Sequence, residues 1–278
     1  MFTDSVVLSL YFETPLHAAS GSAIGPVDHP IQRERATLWP LIHATTIEAS
    51  LRSAVGDETA AKLFGEGDAG GSALSVGDAR LLLFPARCSA APFVWVSCPS
   101  ALARLRRDLA RTVGKEIPTP PAIKSDEILV TASWVGGDDP VAVEDVVLKP
   151  RKGFDPSVLL AMVPSAGPGY EGFDKQMEGT LALVADEVFS FLARTAVEIE
   201  PVSGEEGSAV YAEAVPADAL FYVPLMGVAA KSKGKKKDAT PLATLEKSLG
   251  THLRVGGGER FGRGWARMAI LKAEGGSQ

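Results

Sequence analysis

The residues best suited to chemistry lie near the carboxyl end, where Gly256, Gly257, Gly258, Gly262 and Gly264 fall within nine residues, interleaved with Arg260 and Arg263. Such a stretch lets backbone N–H groups approach phosphate oxygens, while the guanidinium groups add charge and bidentate contacts. It lacks the Gly-Lys-Ser/Thr ending of a P-loop and runs into a strand-like segment, which argues against nucleotide hydrolysis. A tight turn is the competing reading of the same composition. Asp28 stands in a glycine- and proline-bearing loop from Gly21 to Pro30; taken alone, an Asp there reads as a turn cap. His17, His29, His43 and His252 are too scattered for a zinc motif. Cys88 and Cys98, ten residues apart, lack the close pairing of metal or redox sites and read as reduced core thiols of a cytoplasmic protein.

The elements that must hold these residues follow from periodicity. SVVLSLYF (5–12) reads as a first strand rather than an export signal, since no basic segment precedes it. In ATTIEASLRSAV (44–55), Ile47, Leu51 and Val55 form the stripe of an amphipathic helix. DARLLLFPAR (78–87) and PFVWVSCP (92–99) read as a hairpin, followed by a helix over 102–112 with its basic residues mostly outward. Residues 114–153 are broken by proline apart from a strand at 127–135; 180–192 reads as strand turning into helix. A hairpin over 198–216, a core strand at 219–228, a helix over 241–253 and a last strand after the glycine loop complete the chain. Strands interrupted by helices without regular βαβ spacing point to an α+β fold of ferredoxin-like type.

The 278 residues, 46% hydrophobic, suffice for a large core, and no apolar run is long enough to span a membrane. Net charge is −6, yet residues 231–272 carry eleven Lys/Arg against Asp238, Glu246 and Glu259. A basic zone on an acidic protein suits a local nucleic-acid site, and KSKGKKKD (231–238) reads as a solvated basic loop within it.

An ordered set of segments then resembles one family. VDHPIQRE (27–34), Pro40 and TTIEASLR (45–52) resemble the amino-terminal signature of RAMP superfamily backbone subunits of type III-B CRISPR complexes, and GGGERFGRGW (256–265) resembles their glycine loop. PLHAASG (15–21), DARLLLFPAR, FVWVSCP (93–99) and AVPADALFY (214–222) are similar to further segments of that subunit, in the same order.

The resemblance implies a single domain over 1–278, with a ferredoxin-like or RRM-like palm, a protruding thumb hairpin at about 194–216 and the glycine-rich loop at 255–265. It implies copies stacked head-to-tail on a CRISPR guide RNA beside other type III-B subunits, with cleavage of complementary target RNA. Asp28 matches the family's cleaving aspartate and would hold a divalent cation, Mg2+ or Mn2+; His17 matches a histidine near the reacting 2′-hydroxyl. Arg33, Arg35, Arg52, Arg260, Arg263 and the glycines 256, 257, 258, 262 and 264 fall at positions expected to contact RNA. The chain departs from the pattern in two places: Glu48-Ala49 stand where Lys-Gly is usual, and Ala212-Glu213-Ala214 where an acidic pair and an aromatic residue are usual. A scaffold subunit without cleavage activity is the alternative reading.

Overall fold

Strand β1 (Phe2–Phe12) is apolar on both faces and is hydrogen-bonded along both edges. Val6, Leu8, Leu10 and Phe12 point into one core, Val7 and Tyr11 into a second, as the two-residue strand period requires. Ser9, fully buried, is satisfied by donating to the Met162 carbonyl. The structure, a computed structural model, describes residues 2–22, 26–65, 71–164, 167, 169–203, 209–228 and 239–273. The lysine run 231–237 and the tip of the expected thumb, 204–208, lie outside the described residues.

After β1 come β2 (Leu41–Ile42), α1 (Ala44–Val55) and α2 (Asp57–Phe64), then β3 (Leu74–Val76), β4 (Ala79–Cys88), β5 (Ala91–Ser97) and α3 (Pro99–Thr112). The middle of the chain supplies β6 (Glu127–Val130), β7 (Val141–Val143), β8 (Val146–Lys152), α4 (Ser157–Leu160), α5 (Phe173–Glu178), β9 (Leu181–Val184) and α6 (Asp186–Thr195). Then follow the hairpin β10 (Glu198–Ser203) and β11 (Ala209–Ala214), β12 (Leu220–Val228), α7 (Pro241–Ser248), β13 (His252–Arg254) and β14 (Trp265–Leu271).

Twelve strands form one sheet in the order β13-β14-β1-β12-β4-β5-β9-β6-β8-β7, with β2 against β4 and β3 against β12. β7 also pairs with β4 at Cys88 and Val143, so the second half curls back on itself. In the first half every pairing is antiparallel. Ile47 and Leu51 of α1, Leu63 and Phe64 of α2, and Leu242 and Leu245 of α7 cover one core; Leu102, Leu105 and Leu109 of α3 cover the other. Among the described residues no helix is long and apolar enough to cross a membrane. The architecture is mixed α+β with a sheet-dominated core.

Three expectations need correction. The helix expected over 241–253 ends at Ser248; Gly250 follows, and His252–Arg254 instead pairs with β14. The strand expected over 127–135 stops at Val130, after which buried Thr131 donates to the Glu178 carbonyl at 2.8 Å. The segment read as broken holds β7 and β8 as well. Cys98 is the buried thiol expected: it caps α3 by accepting from Ala101 N, and burial pushes its pKa up, which keeps it an inert thiol.

Candidate functional site

The site is organised by the free edge of β11. One edge of β11 pairs with β10; the other receives the loop that follows β1. The Tyr211 N–H donates to Asp28 Oδ2 at 2.8 Å, and the Tyr211 carbonyl accepts from the N–H groups of Asp28 and His29, both at 3.0 Å. Two residues on, the Glu213 N–H donates to the His29 carbonyl at 3.0 Å, and the Glu213 carbonyl contacts His17 Nδ1 at 2.6 Å. Past the end of the strand, Leu16 and Val215 exchange N–H···O bonds of 2.9 and 2.8 Å. Residues 211, 213 and 215 turn their main-chain groups to the same side, so Asp28 and His17 are anchored two residues apart, about 7 Å along the strand.

This docking fixes chemistry as well as position. A carbonyl only accepts, so His17 Nδ1 carries the proton, and in the neutral form of the ring it is Nε2 that holds the lone pair. Asp28 gives one carboxylate oxygen to a backbone N–H, which pins the side chain without a neutralising cation among the described residues.

The glycine loop reaches the same place from the other side. The Gly257 N–H donates to the His17 carbonyl at 2.8 Å. Gly256 sits at φ 80° with the His17 carbonyl oxygen 2.5 Å from where a Cβ would be, and at Gly264 (φ 77°) the Val255 oxygen would be 1.9 Å away. Only glycine allows either approach. Between them, Glu259–Phe261 forms one 3-10 turn. Beside the loop, a groove of about 840 Å³ runs between the α1 face carrying Thr46, Ala49, Ser50 and Ser53 and the wall formed by Arg254, Gly257 and Trp265.

The arginines expected at the site divide into two groups. Arg35 and Arg260 are exposed, with no partner among the described residues. Arg33 is turned inward, 18% exposed at its side chain, bonded to Glu213 Oε1 at 3.2 Å and to the carbonyls of Leu38 and Ala193. Arg52 meets Glu48 at 3.7 Å and the Gly65 carbonyl at 3.2 Å, which ties α1 to the end of α2. Arg263 is buried against Glu200 of β10. Gly258 and Gly262 flank the 3-10 turn at positive φ. His43 precedes α1 and His252 pairs with Glu13 at 3.2 Å, both away from β11.

Sequence reasoning assigned no site role to Glu213, Glu200 or Tyr211. Glu213 holds the Asp28 loop through Arg33 and through the Ile31 N–H at 3.1 Å. Its lone position between two alanines gave a weak signal, and Tyr211 contributes main-chain atoms, which carry no signal at all.

No family model matches the chain. The CRISPR system Cmr endoribonuclease Cmr4 of Pyrococcus furiosus is 32% identical over 292 residues, covering 95% of each chain. The chain belongs to the Cmr4 family. The crystal structure of oligomeric Cmr4 from Pyrococcus furiosus superimposes with a TM-score of 0.75 at 25% identity, covering 98% of this chain and 99% of that one. A subunit of the type III-B Cmr-beta complex bound to cognate target RNA shares the fold, with a TM-score of 0.71 at 16% identity over 97% of this chain and 98% of that one. Membership in the Cmr4 family agrees with the RAMP resemblance carried by the ordered segments.

Proposed function

We propose that this chain is a backbone subunit of a type III-B Cmr effector complex of the cytoplasm, in which stacked copies hold a CRISPR guide RNA and cut the paired target RNA. The observation that carries the reading is the convergence of Asp28, His17 and the glycine loop on one edge of β11. The Pyrococcus furiosus relative is named an endoribonuclease, and solved neighbours are an oligomeric Cmr4 and a complex bound to target RNA.

The palm reading draws support from topology. Strands β14-β1-β12-β4 lie side by side, α1 and α2 connect β1 to β4, and α7 connects β12 to β14. That is the 4-1-3-2 order of a ferredoxin-like sheet, with β5 to β11 inserted between its second and third strands. The β10–β11 hairpin is the thumb, and the groove beside α1 is the guide path. Arg35, Arg260 and the N–H groups of the loop take phosphates there, while Arg33, Arg52 and Arg263 hold the walls of that path.

Among the described residues no three metal-ligating side chains cluster, and at the edge of β11 Asp28 is the carboxylate offered to a divalent cation. A hard cation such as Mg2+ or Mn2+ accepts this, because it keeps waters and completes its shell with phosphate oxygens. When bound, it would neutralise charge at the scissile phosphate. His17 Nε2 is the base available to take the proton of a 2′-hydroxyl as that oxygen attacks phosphorus, the 5′-oxygen leaves, and a 2′,3′-cyclic phosphate remains.

Asp28→Asn is the decisive variant, because an amide oxygen can still accept the Tyr211 N–H while the charge is lost. In the guide-loaded assembly it should lower target cleavage by about 100-fold or more with guide and target binding retained. Unaltered cleavage, with no other nuclease subunit present, would leave a binding scaffold as the function.

A further inference from the structure

Arg260 and Arg263 belong to one loop and stand in opposite states. Arg260 is exposed. Arg263 is 7% exposed, lies over Gly258 with its Cδ 2.8 Å from where a Cβ would be, and donates from Nη2 to the Glu200 carboxylate of β10. To reach a phosphate, Arg263 would have to give up its carboxylate partner and leave the buried position over Gly258 in which it is packed. Glu198, on the same face of β10, also feels this guanidinium: burial pushes its pKa up and the Arg263 charge pulls it down.

The place where Arg263 grips the hairpin matters. Glu200 pairs across the hairpin with Ala212, the residue between Tyr211 and Glu213. Those two main-chain positions hold Asp28 and His17. The circuit closes on itself: Arg263 to Glu200, across to β11, out to His17, and through the His17 carbonyl to the Gly257 N–H of the same loop.

We propose that Glu200 is a positioning residue, which through Arg263 fixes the hairpin against the glycine loop so that the loop's hold on the guide sets where Asp28 meets the target. This rests on the reading that the loop binds guide and Asp28 serves cleavage. It makes the acidic side of the hairpin an internal strut rather than a surface for RNA, and it removes Arg263 from the phosphate ligands.

The test compares guide-loaded assemblies of the wild type, Glu200→Gln, Arg263→Gln and the reciprocal pair Glu200→Arg with Arg263→Glu. Single-turnover cleavage at saturating target and the salt dependence of guide binding are measured for each. Each Gln variant should slow cleavage about tenfold, as a misplaced reacting group does. The salt slope of guide binding should stay unchanged, and the reciprocal pair should recover cleavage to within about threefold of wild type. If Arg263→Gln instead flattens the salt slope by about one contact and the reciprocal pair is worse than either single change, Arg263 is a phosphate ligand and the proposal is overturned. Cleavage unchanged in every variant overturns it equally. Should a variant fail to assemble, thermal unfolding of the full chain decides: the reciprocal pair must recover the midpoint lost by the single changes, and additive losses overturn the strut. A wild-type assembly that holds guide yet spares target would sink the reading beneath the proposal, while the thermal cycle still scores the strut.

Discussion

The loop after β1 and the glycine loop meet at the same strand edge but are built in opposite ways. The first is held by main-chain bonds to Tyr211, Glu213 and Val215, with one oxygen of Asp28 and Nδ1 of His17 spent on its own attachment, which leaves the second Asp28 oxygen and His17 Nε2 free of it. The second is held by its glycines and by Arg263, so much of its motif is consumed in construction. A loop anchored through backbone leaves its side chains for chemistry; a loop anchored through side chains and missing Cβ atoms leaves mainly its N–H groups and one exposed arginine. The two motifs look equally functional in sequence, and the structure holds them by different atoms.

The largest effect should come from the glycines, and it should be uneven. Gly264→Ala would drive a Cβ into the Val255 carbonyl oxygen at a left-handed backbone position, at a cost of about 3 kcal/mol or more. Gly262 shares the positive φ but has nothing within 4 Å of an added Cβ. Its alanine variant should lose only about 1 kcal/mol. Urea unfolding of both variants checks the contrast; equal losses would mean that conformation alone, and not close approach, selects glycine in this loop.

Arg260→Ala addresses the function left to the loop. Its exposed guanidinium should account for about one unit of the salt slope of guide binding, whatever the guide sequence. Titrations at several salt concentrations with unrelated guides measure this. Loss confined to one guide would mean that Arg260 reads bases instead of phosphates.

Much of the frame was legible because local pattern and tertiary role agree. Ile47, Leu51 and Val55 marked the span of α1, and runs of apolar, β-branched and aromatic residues marked β1 and the β4–β5 hairpin. α2 was hidden because it follows α1 directly across Gly56, and β8 because Pro150 interrupts it and the adjoining β7 is only three residues long. The site was legible only as an ordered set of motifs. Its geometry depends on bonds between residues 183 and 196 positions apart, in which β11 supplies peptide groups common to every sequence. Nothing in GGGERFGRGW distinguishes Arg260 from Arg263; the difference lies in Glu200, which the sequence shows only as one acid among several in an acidic hairpin.

The smallest effect concerns Glu198, the second carboxylate of β10, and tests how far the strut shields it. Glu198 titrates above its ordinary value of 4.5, chiefly because it is partly buried, with Arg263 opposing. A carboxyl with a raised folded pKa binds its proton more tightly in the folded chain than in the unfolded one. The stability it contributes is complete below about 4.5 and is lost as pH rises through the folded pKa. Glu198→Gln removes that loss, so the variant should be slightly more stable than wild type near neutral pH and equal to it in acid, where the wild-type carboxyl is protonated in both states. Asp218 shares with Glu198 a cavity between the base of the hairpin and β4 and is also raised, but it is common to both proteins and drops out of the difference. Adding Arg263→Gln to both should widen the gap at neutral pH, because the cation that eases Glu198 ionisation is gone. Urea midpoints for the four chains at acid and neutral pH measure all of this, and a gap that ignores pH would show that Glu198 acts through packing and not through its charge.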